Sequence, residues 1–540
     1  MPDTLTQARP FPDRERLWDE MGLGGAADWD ILVIGGGITG AGILREATQM
    51  GFRALLVEQG DYAWGTSSRS SKMVHGGLRY LAAGKVSLTR HALHERERLL
   101  HEAPGLVERL PYYYPLYRKR FPPAIAAGAL FWLYDRLAGV DDHRRIDNGD
   151  LEQVFPHLDT EPLKGGYRYT DATTDDARLT LRLLSESVKD GAAARNYTRV
   201  VSLLREQGRT VGATLRDALD DSERRVHARV VINATGAWAA RLGGHMPNGA
   251  RIRPQRGSHL VLDAKRFPAP AALFLKHPDD GRRVFVYPWE GRSVVGTTDI
   301  PHRDDLGTAA RITADELAYL LRVTRQLYGE HAPGAEDVIS TWSGVRPIIL
   351  SRRNTSPSRA SREHQVWAEK GLVSCSGGKL TTFHHMAKDV MERAQPFLGT
   401  PRTNASRRIF PETGAGASFS VPVDTGLSRK LMGRFGEDAP RVASEALPEE
   451  LERLRDTTFT LAEVRWALRY ESVVHLDDLM LRRTRLGLLL PHGGTEILDA
   501  VEPLCRELLG WSAGTWASER ERYADVVRRY YSLPTGRGES

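Results

Sequence analysis

Three glycines and one acid carry the spacing in this chain that most narrowly specifies a chemistry. Gly35, Gly37 and Gly40 stand in the run Gly-Gly-Gly-Ile-Thr-Gly, with Gly36 between the first two, and Glu58 follows one strand later. Gly35 suits a tight turn, Gly37 lets the backbone approach a pyrophosphate, and Gly40 lets a helix pack against the preceding strand. An acid at the end of the next strand accepts ribose hydroxyls and would repel a 2′-phosphate. The elements needed to position these residues are all legible. Asp30-Ile31-Leu32-Val33-Ile34 is an apolar run of strand length. Ala41, Ile43, Leu44 and Ala47 continue as a helix, and Ala54-Leu55-Leu56-Val57 delivers Glu58. The N–H groups and positive dipole end at the start of that helix suit an anion without a basic side chain. Residues 30–58 therefore read as a dinucleotide-binding β-α-β unit.

The next stretch, Gly60 to Leu81, is too rich in Gly, Ser and Thr to begin as regular structure. Hydroxyls of Thr66, Ser67, Ser68, Ser70 and Ser71 can hydrogen-bond a phosphate or a flavin, and Gly76-Gly77 lets the backbone approach a flat group. A generic surface loop has no reason to gather Lys72, His75, Arg79 and Tyr80 as well. This block resembles the FAD-dependent glycerol-3-phosphate dehydrogenases, whose signature here is TSS…SSK…HGGLRYL. The resemblance continues through Ala234-Thr235-Gly236-Ala237-Trp238, which follows a buried-strand pattern at 229–233, and through Gln255 to His259. It then takes in Trp342 to Pro347, Arg362, and Ser376 to Thr382. Ala237 departs from it, since the family usually has Pro there. The resemblance implies FAD rather than NAD as cofactor. It assigns cofactor contacts to Gly35, Gly36, Gly37, Gly40, Glu58, Thr66, Ser67, Ser68, Ser71, Lys72, His75 and Gly77, and further along to Ala234, Gly236, Trp238, Gly378, Leu380 and Thr381.

The implied reaction is oxidation of sn-glycerol 3-phosphate to dihydroxyacetone phosphate, with electrons passed from the flavin to a quinone. Oxidising a secondary alcohol beside a phosphate requires cations for the dianion, a base for the hydroxyl proton and an acceptor for the hydride. Arg79, Tyr80, Arg362 and Lys379 are the expected substrate contacts, and Arg346 is expected to orient the reacting oxygen. His259 is the expected base, the one group among these landmarks whose ordinary pKa lies near neutrality. The rate should then rise with pH through an ordinary histidine value. Three alternatives stand beside this reading: a glycerophosphate oxidase using oxygen, a relative of the amino-acid oxidases, and an FAD-bearing scaffold without activity.

The fold class is α/β: an FAD-binding Rossmann-like domain interleaved with an α+β antiparallel-sheet substrate domain, followed by an all-helical C-terminal domain. The oxidoreductase unit spans 28–400. Its FAD-binding segments are placed at about 28–85, 195–240 and 370–400, and its substrate segments at about 86–194 and 241–369. A linker at 401–416 and a helical region at 417–540 follow. Asp175 or Asp176 should cap a helix whose apolar face is Leu179, Leu183, Leu184 and Val188. Thr313-x-x-Glu316 and Thr460-x-x-Glu463 are capping boxes, the first opening a helix expected only to cover the substrate sheet. Leu88 to Leu100 reads as a solvated helix, and the C-terminal region carries no active-site signal.

Over 540 residues, 75 Lys and Arg oppose 69 Asp and Glu, a net charge of +6. With no long basic block, nucleic acid is excluded as a partner. The two cysteines, Cys375 and Cys505, make neither a disulfide framework nor a metal-ligand cluster and fit a reducing, cytoplasmic setting without a metal. Residues 1–29 lack the apolar core of a signal peptide. The most apolar stretch, Ala124 to Tyr134, is far short of the roughly twenty residues needed to span a bilayer. Preceded by Arg118-Lys119-Arg120, it suits peripheral contact with the inner face of the cytoplasmic membrane, with a buried core helix as the plainer alternative. A dimer is the expected oligomer.

Overall fold

The computed structural model describes residues 11, 13–21, 29–118, 123–242, 246, 249–350, 363–401, 403, 408–412 and 418–534. Its first sheet runs in the spatial order His364–Glu369, Leu372–Gly377, Glu223–Asn233, Trp29–Ile34, Ala54–Val57, Ala193–Arg195. Every neighbouring pair is parallel except the outer one, His364–Glu369 against Leu372–Gly377. Trp29–Ile34 is buried along its whole length, which is why Ile31 to Ile34 reads as an unbroken apolar run rather than an alternating one. Helices Ile38–Gln49, Asp176–Lys189 and Phe383–Leu398 cover one face, where Ala41, Leu44, Leu183 and Val390 share a cluster with Ile31 and Ile232. The hairpin Thr198–Glu206 and Arg209–Asp217 covers the other, placing Ala213 and Leu215 against Leu32 and Leu55. Gly40 is required by this packing, since a Cβ there would lie 1.8 Å from the Gly35 carbonyl oxygen. Gly35 itself sits at φ +114°, a conformation that side chains disfavour.

The second sheet runs Ile300–Pro301, Arg251–Asp263, Arg292–Gly296, Arg283–Trp289, Ala272–Lys276, Val107–Tyr117, Leu163–Thr174, Met73–Val74, with Val338–Leu350 also paired to Arg251–Asp263. It is antiparallel apart from Ala272–Lys276 beside Val107–Tyr117. The Ala314–Tyr328 helix opens with the Thr313/Glu316 capping box and buries Leu320, Val323 and Leu327 against Leu260, Val284 and Val286.

Two expectations change. The Val86–Glu102 helix is not a wholly solvated one: Ala92, Leu93 and Leu99 are buried, and so is Arg96, paired with Asp171 at 2.7 Å. The stretch read as a linker is packed where described, because Ile409 and Phe410 are buried and the Ile409 carbonyl accepts from Arg45 at 2.8 Å. Beyond it, Leu427, Leu431, Val442 and Trp466 form a small core of their own. Leu476, Leu479, Leu488 and Val501 join the larger core that holds Tyr112, Trp289 and Trp342 of the second sheet. The C-terminal helices thus continue the body of the protein.

Arg178 on the Asp176–Lys189 helix donates to both oxygens of Glu471, at 2.9 and 2.7 Å, with both side chains buried. Removing one partner leaves an uncompensated buried charge. Glu471→Ala should therefore cost about 3–5 kcal/mol, read by denaturant unfolding, and an unchanged midpoint would show the pair to be solvated.

Candidate active site

A cleft of about 370 Å³ opens at the carboxyl ends of the parallel strands, the position at which open α/β sheets bind ligands. Gly35 and Gly37 border it at the start of the Ile38–Gln49 helix, with Glu58 at the end of the next strand. Trp64, Thr66 and Ser67, the turn Ala234 to Trp238, and Gly378 to Leu380 complete it. Glu58 is oriented by two backbone donors, Gly36 N–H at 2.7 Å and Gly60 N–H at 3.0 Å. Burial raises its pKa, and those two donors oppose the rise. Ser67 Oγ accepts from the Ile38 N–H at 2.8 Å, satisfying one of the free donors at the helix start. A Cβ on Gly37 would lie 3.0 Å from that same hydroxyl. Strand-end acid, helix start and side-chain-free turn together fit a dinucleotide.

Other predicted cofactor contacts stand behind this wall. Gly36 and Gly40 shape the turn. Ser68 gives its carbonyl oxygen to Lys72 Nζ at 3.0 Å. Lys72 is fully buried, bonded to Asp176 at 2.9 Å and set against the rings of Trp289 and Trp342. Burial lowers its pKa to about 8, helped by Arg485 and opposed by Asp176. His75 donates its backbone N–H to Thr381 Oγ1 at 3.1 Å. Gly77, at φ +82°, leaves room for Tyr80, over whose ring the Lys379 ammonium sits at 3.8 Å. Arg79 is exposed on the same short helix, Leu78–Ala82. Arg362 lies outside the described residues.

The second sheet puts His259 and Arg346 on paired strands, His259 opposite Trp342 and Gln255 opposite Arg346. The imidazole stacks on Trp342, ring centres 4.8 Å apart, and Nε2 lies 2.9 Å from Ser71 Oγ. Its Nδ1 is buried without a hydrogen-bond partner among the described residues. Gly296 closes the other side, where a Cβ would lie 2.2 Å from the ring. Burial, then Arg346 and Lys72, hold the His259 pKa well below the ordinary histidine value. Arg346 donates to Thr297 Oγ1 at 3.0 Å and lies 3.7 Å from the Asp299 carboxylate. Pro347 and Ser70, sequence neighbours of Arg346 and Ser71, line the same cleft as Lys379.

Several supporting residues carry no motif. Glu316, beyond capping its helix, accepts from Ser258 Oγ at 2.8 Å and Thr298 Oγ1 at 2.6 Å, so that helix braces the loop holding Arg346 as well as covering the sheet. Arg482, Arg483 and Arg485 from the C-terminal region reach Asp61, Asp176 and the Ser68 carbonyl behind the cleft. The available signal was three arginines inside a leucine-rich run, since charges buried among apolar neighbours require partners.

A methyl at Gly37 would intrude where the phosphates approach and press on Ser67. Gly37→Ala should lose most of its bound dinucleotide, read as absorbance per protein after purification, and full retention would remove Gly37 from the contact.

Residues 30–393 match the family described as FAD dependent oxidoreductase, and residues 384–515 match the C-terminal domain of alpha-glycerophosphate oxidase. The chain is 34% identical to a glycerol-3-phosphate dehydrogenase of Mycobacterium leprae, over 94% of this chain and 92% of that one. It is 33% identical to the aerobic glycerol-3-phosphate dehydrogenase of Bacillus subtilis, over 87% and 89%. Among solved structures, the glycerol-3-phosphate dehydrogenase of Bacillus halodurans complexed with FAD superposes with a TM-score of 0.73 at 27% identity, covering 95% of this chain and 96% of that one. With likeness of that extent across both the cleft-bearing sheets and the C-terminal helices, the chain belongs to the FAD-dependent glycerol-3-phosphate dehydrogenase family.

Proposed function

We propose that this protein oxidises sn-glycerol 3-phosphate to dihydroxyacetone phosphate. The observation that carries the reading is His259, buried with its Nε2 2.9 Å from Ser71 Oγ, on a strand paired with the one that carries Arg346, whose neighbour Pro347 lines the cleft that also presents Lys379. Bound FAD supplies the two-electron acceptor. His259 accepts the proton of the second-carbon hydroxyl, its ring held between Trp342 and Gly296. Arg346 orients that oxygen and stabilises its developing charge. Lys379, steadied over Tyr80, and the neighbouring Arg79 take the phosphate. Arg362 belongs to the same proposed set.

Neutral imidazole is the competent form, and its pKa is depressed. The acid limb of the rate profile should therefore lie below the ordinary histidine range, with the rate flat through neutrality. This revises the expectation of a limb near the ordinary value. His259→Ala should slow anaerobic flavin reduction in stopped flow by about 10²- to 10⁴-fold and abolish that limb. Lys379→Ala should instead raise the Michaelis constant for glycerol 3-phosphate by roughly 10- to 150-fold. A wild-type rate and pH profile in His259→Ala would send the search for the base elsewhere.

The onward acceptor is read as a quinone reached at a membrane surface. Among the described residues no helix is long and apolar enough to cross a membrane. The Ala124–Ala138 helix buries Ala127, Phe131 and Tyr134 while leaving Ile125 88% and Trp132 58% exposed. Such a half-buried helix presents an apolar face to an interface. Arg118 precedes it, whereas Lys119 and Arg120 lie outside the described residues. The protein should co-sediment with anionic vesicles at low salt, be released by salt, and lose binding in an Ile125→Ser/Trp132→Ser variant. Failure of the wild type to sediment would favour oxygen as the acceptor.

A further inference from the structure

We propose that the C-terminal region governs cofactor retention by clasping the end of the cleft at Glu58, with Arg482 and Arg483 as positioning residues. Asp61, in the loop just after Glu58, is fully buried. It accepts from Arg482 Nε at 2.5 Å, from both terminal nitrogens of Arg483 at 2.6 and 2.7 Å, and from Asn196 Nδ2 at 3.0 Å. The planar fork of Arg483 fixes the carboxylate in orientation as well as in place. Asp61 in turn holds the loop containing Gly60, whose N–H orients Glu58 Oε1 at 3.0 Å.

The same cluster grips the segment that adjoins Glu58, residues 196–198. Asn196 Nδ2 also donates to the Ser472 carbonyl at 2.9 Å, and Tyr197 donates its hydroxyl to Asp478 at 2.6 Å. The backbone of Tyr197 and Thr198 bonds Gly60 and Glu58, each at 2.7 Å. Thr198, Arg199, Val200 and Val201 line the cleft beside Glu58. Both adjoining segments at this end of the cleft are therefore tied to residues 472–483, which do not themselves line the cleft. Asp61, Asp477 and Asp478 are compensated by Arg482, Arg483 and Arg522, the last of which also pairs with Glu519. In such a buried cluster, loss of one partner leaves another charge uncompensated.

The inference rests on the cleft being the FAD site, and the experiment separates the two. Full-length protein is stripped of flavin, and the dissociation constants of FAD and ADP are measured with the melting temperature of the apoprotein. Arg483→Lys keeps the charge and loses the fork. It should weaken FAD and ADP together by about 10- to 100-fold at temperatures where the apoprotein remains folded, whatever the change in its melting temperature. A contact that only stabilised the fold would lower that melting temperature and leave both constants alone, which would overturn the proposal. If Arg483→Lys does not fold, Tyr197→Phe, which deletes one hydroxyl, decides by the same measurement. There, weaker FAD and ADP binding supports the clasp, and unchanged binding refutes it. Wild-type apoprotein that fails to bind FAD would sink the assignment of the cleft instead.

Discussion

Asp176 is the carboxylate on which three distant parts of the chain converge. It is fully buried and accepts from Lys72 Nζ at 2.9 Å, from Arg485 at 3.0 Å, and from the N–H and hydroxyl of Ser70 at 2.9 and 2.7 Å. Burial alone would raise its pKa, but Lys72 and Arg485 outweigh burial and keep the carboxyl below its usual range. It also opens the Asp176–Lys189 helix, where an anion meets the positive end of the dipole. One ionised group thus links the cleft loop, a helix packed on the parallel sheet, and the C-terminal region. Taking that charge out of water is tolerable only because each oxygen has charged or N–H partners.

The consequences reach His259 through Trp342. Lys72, held by Asp176, sits 4.5 Å from the centre of the Trp342 ring on which the imidazole stacks. A buried cation near a histidine disfavours imidazolium, and Arg346 adds to that effect on a ring already desolvated. Burial of the ring is the largest of the three influences that hold its pKa down, Arg346 the next and Lys72 the smallest. Glu316 supports the arrangement from the opposite side, bridging Ser258 and Thr298.

The C-terminal helices belong to this scheme. Their apolar side chains enter the core of the second sheet, and their arginines supply the counter-charges for Asp61 and Asp176. The Tyr531 hydroxyl accepts from Arg69 at 2.9 Å, and the Tyr531 carbonyl accepts from the N–H of Thr341, in the strand that carries Arg346, at 2.8 Å. Packing and charge compensation together make the region a wall of the cofactor-binding body.

Local chemistry was enough to read the β-α-β unit, because a glycine turn, a continuous apolar strand and a strand-end acid depend only on near neighbours. Capping at Thr313 and Thr460 was legible for the same reason, and at Asp175 or Asp176, of which the structure uses Asp175; so was the pairing of a parallel sheet with an antiparallel one. By itself the sequence also supplied the list of chemically capable residues, His259, Arg346 and Lys379 among them. What only the tertiary structure decided was environment. The depressed pKa of His259 depends on Trp342, Gly296 and Lys72, which approach it from other segments. Arg96 looked solvated until Asp171 was folded against it, and the partner of Arg482 and Arg483 was not legible, because Asp61 meets them across some four hundred residues of chain. Desolvation and charge pairing are properties of places in the fold, and no local pattern of residue types encodes them.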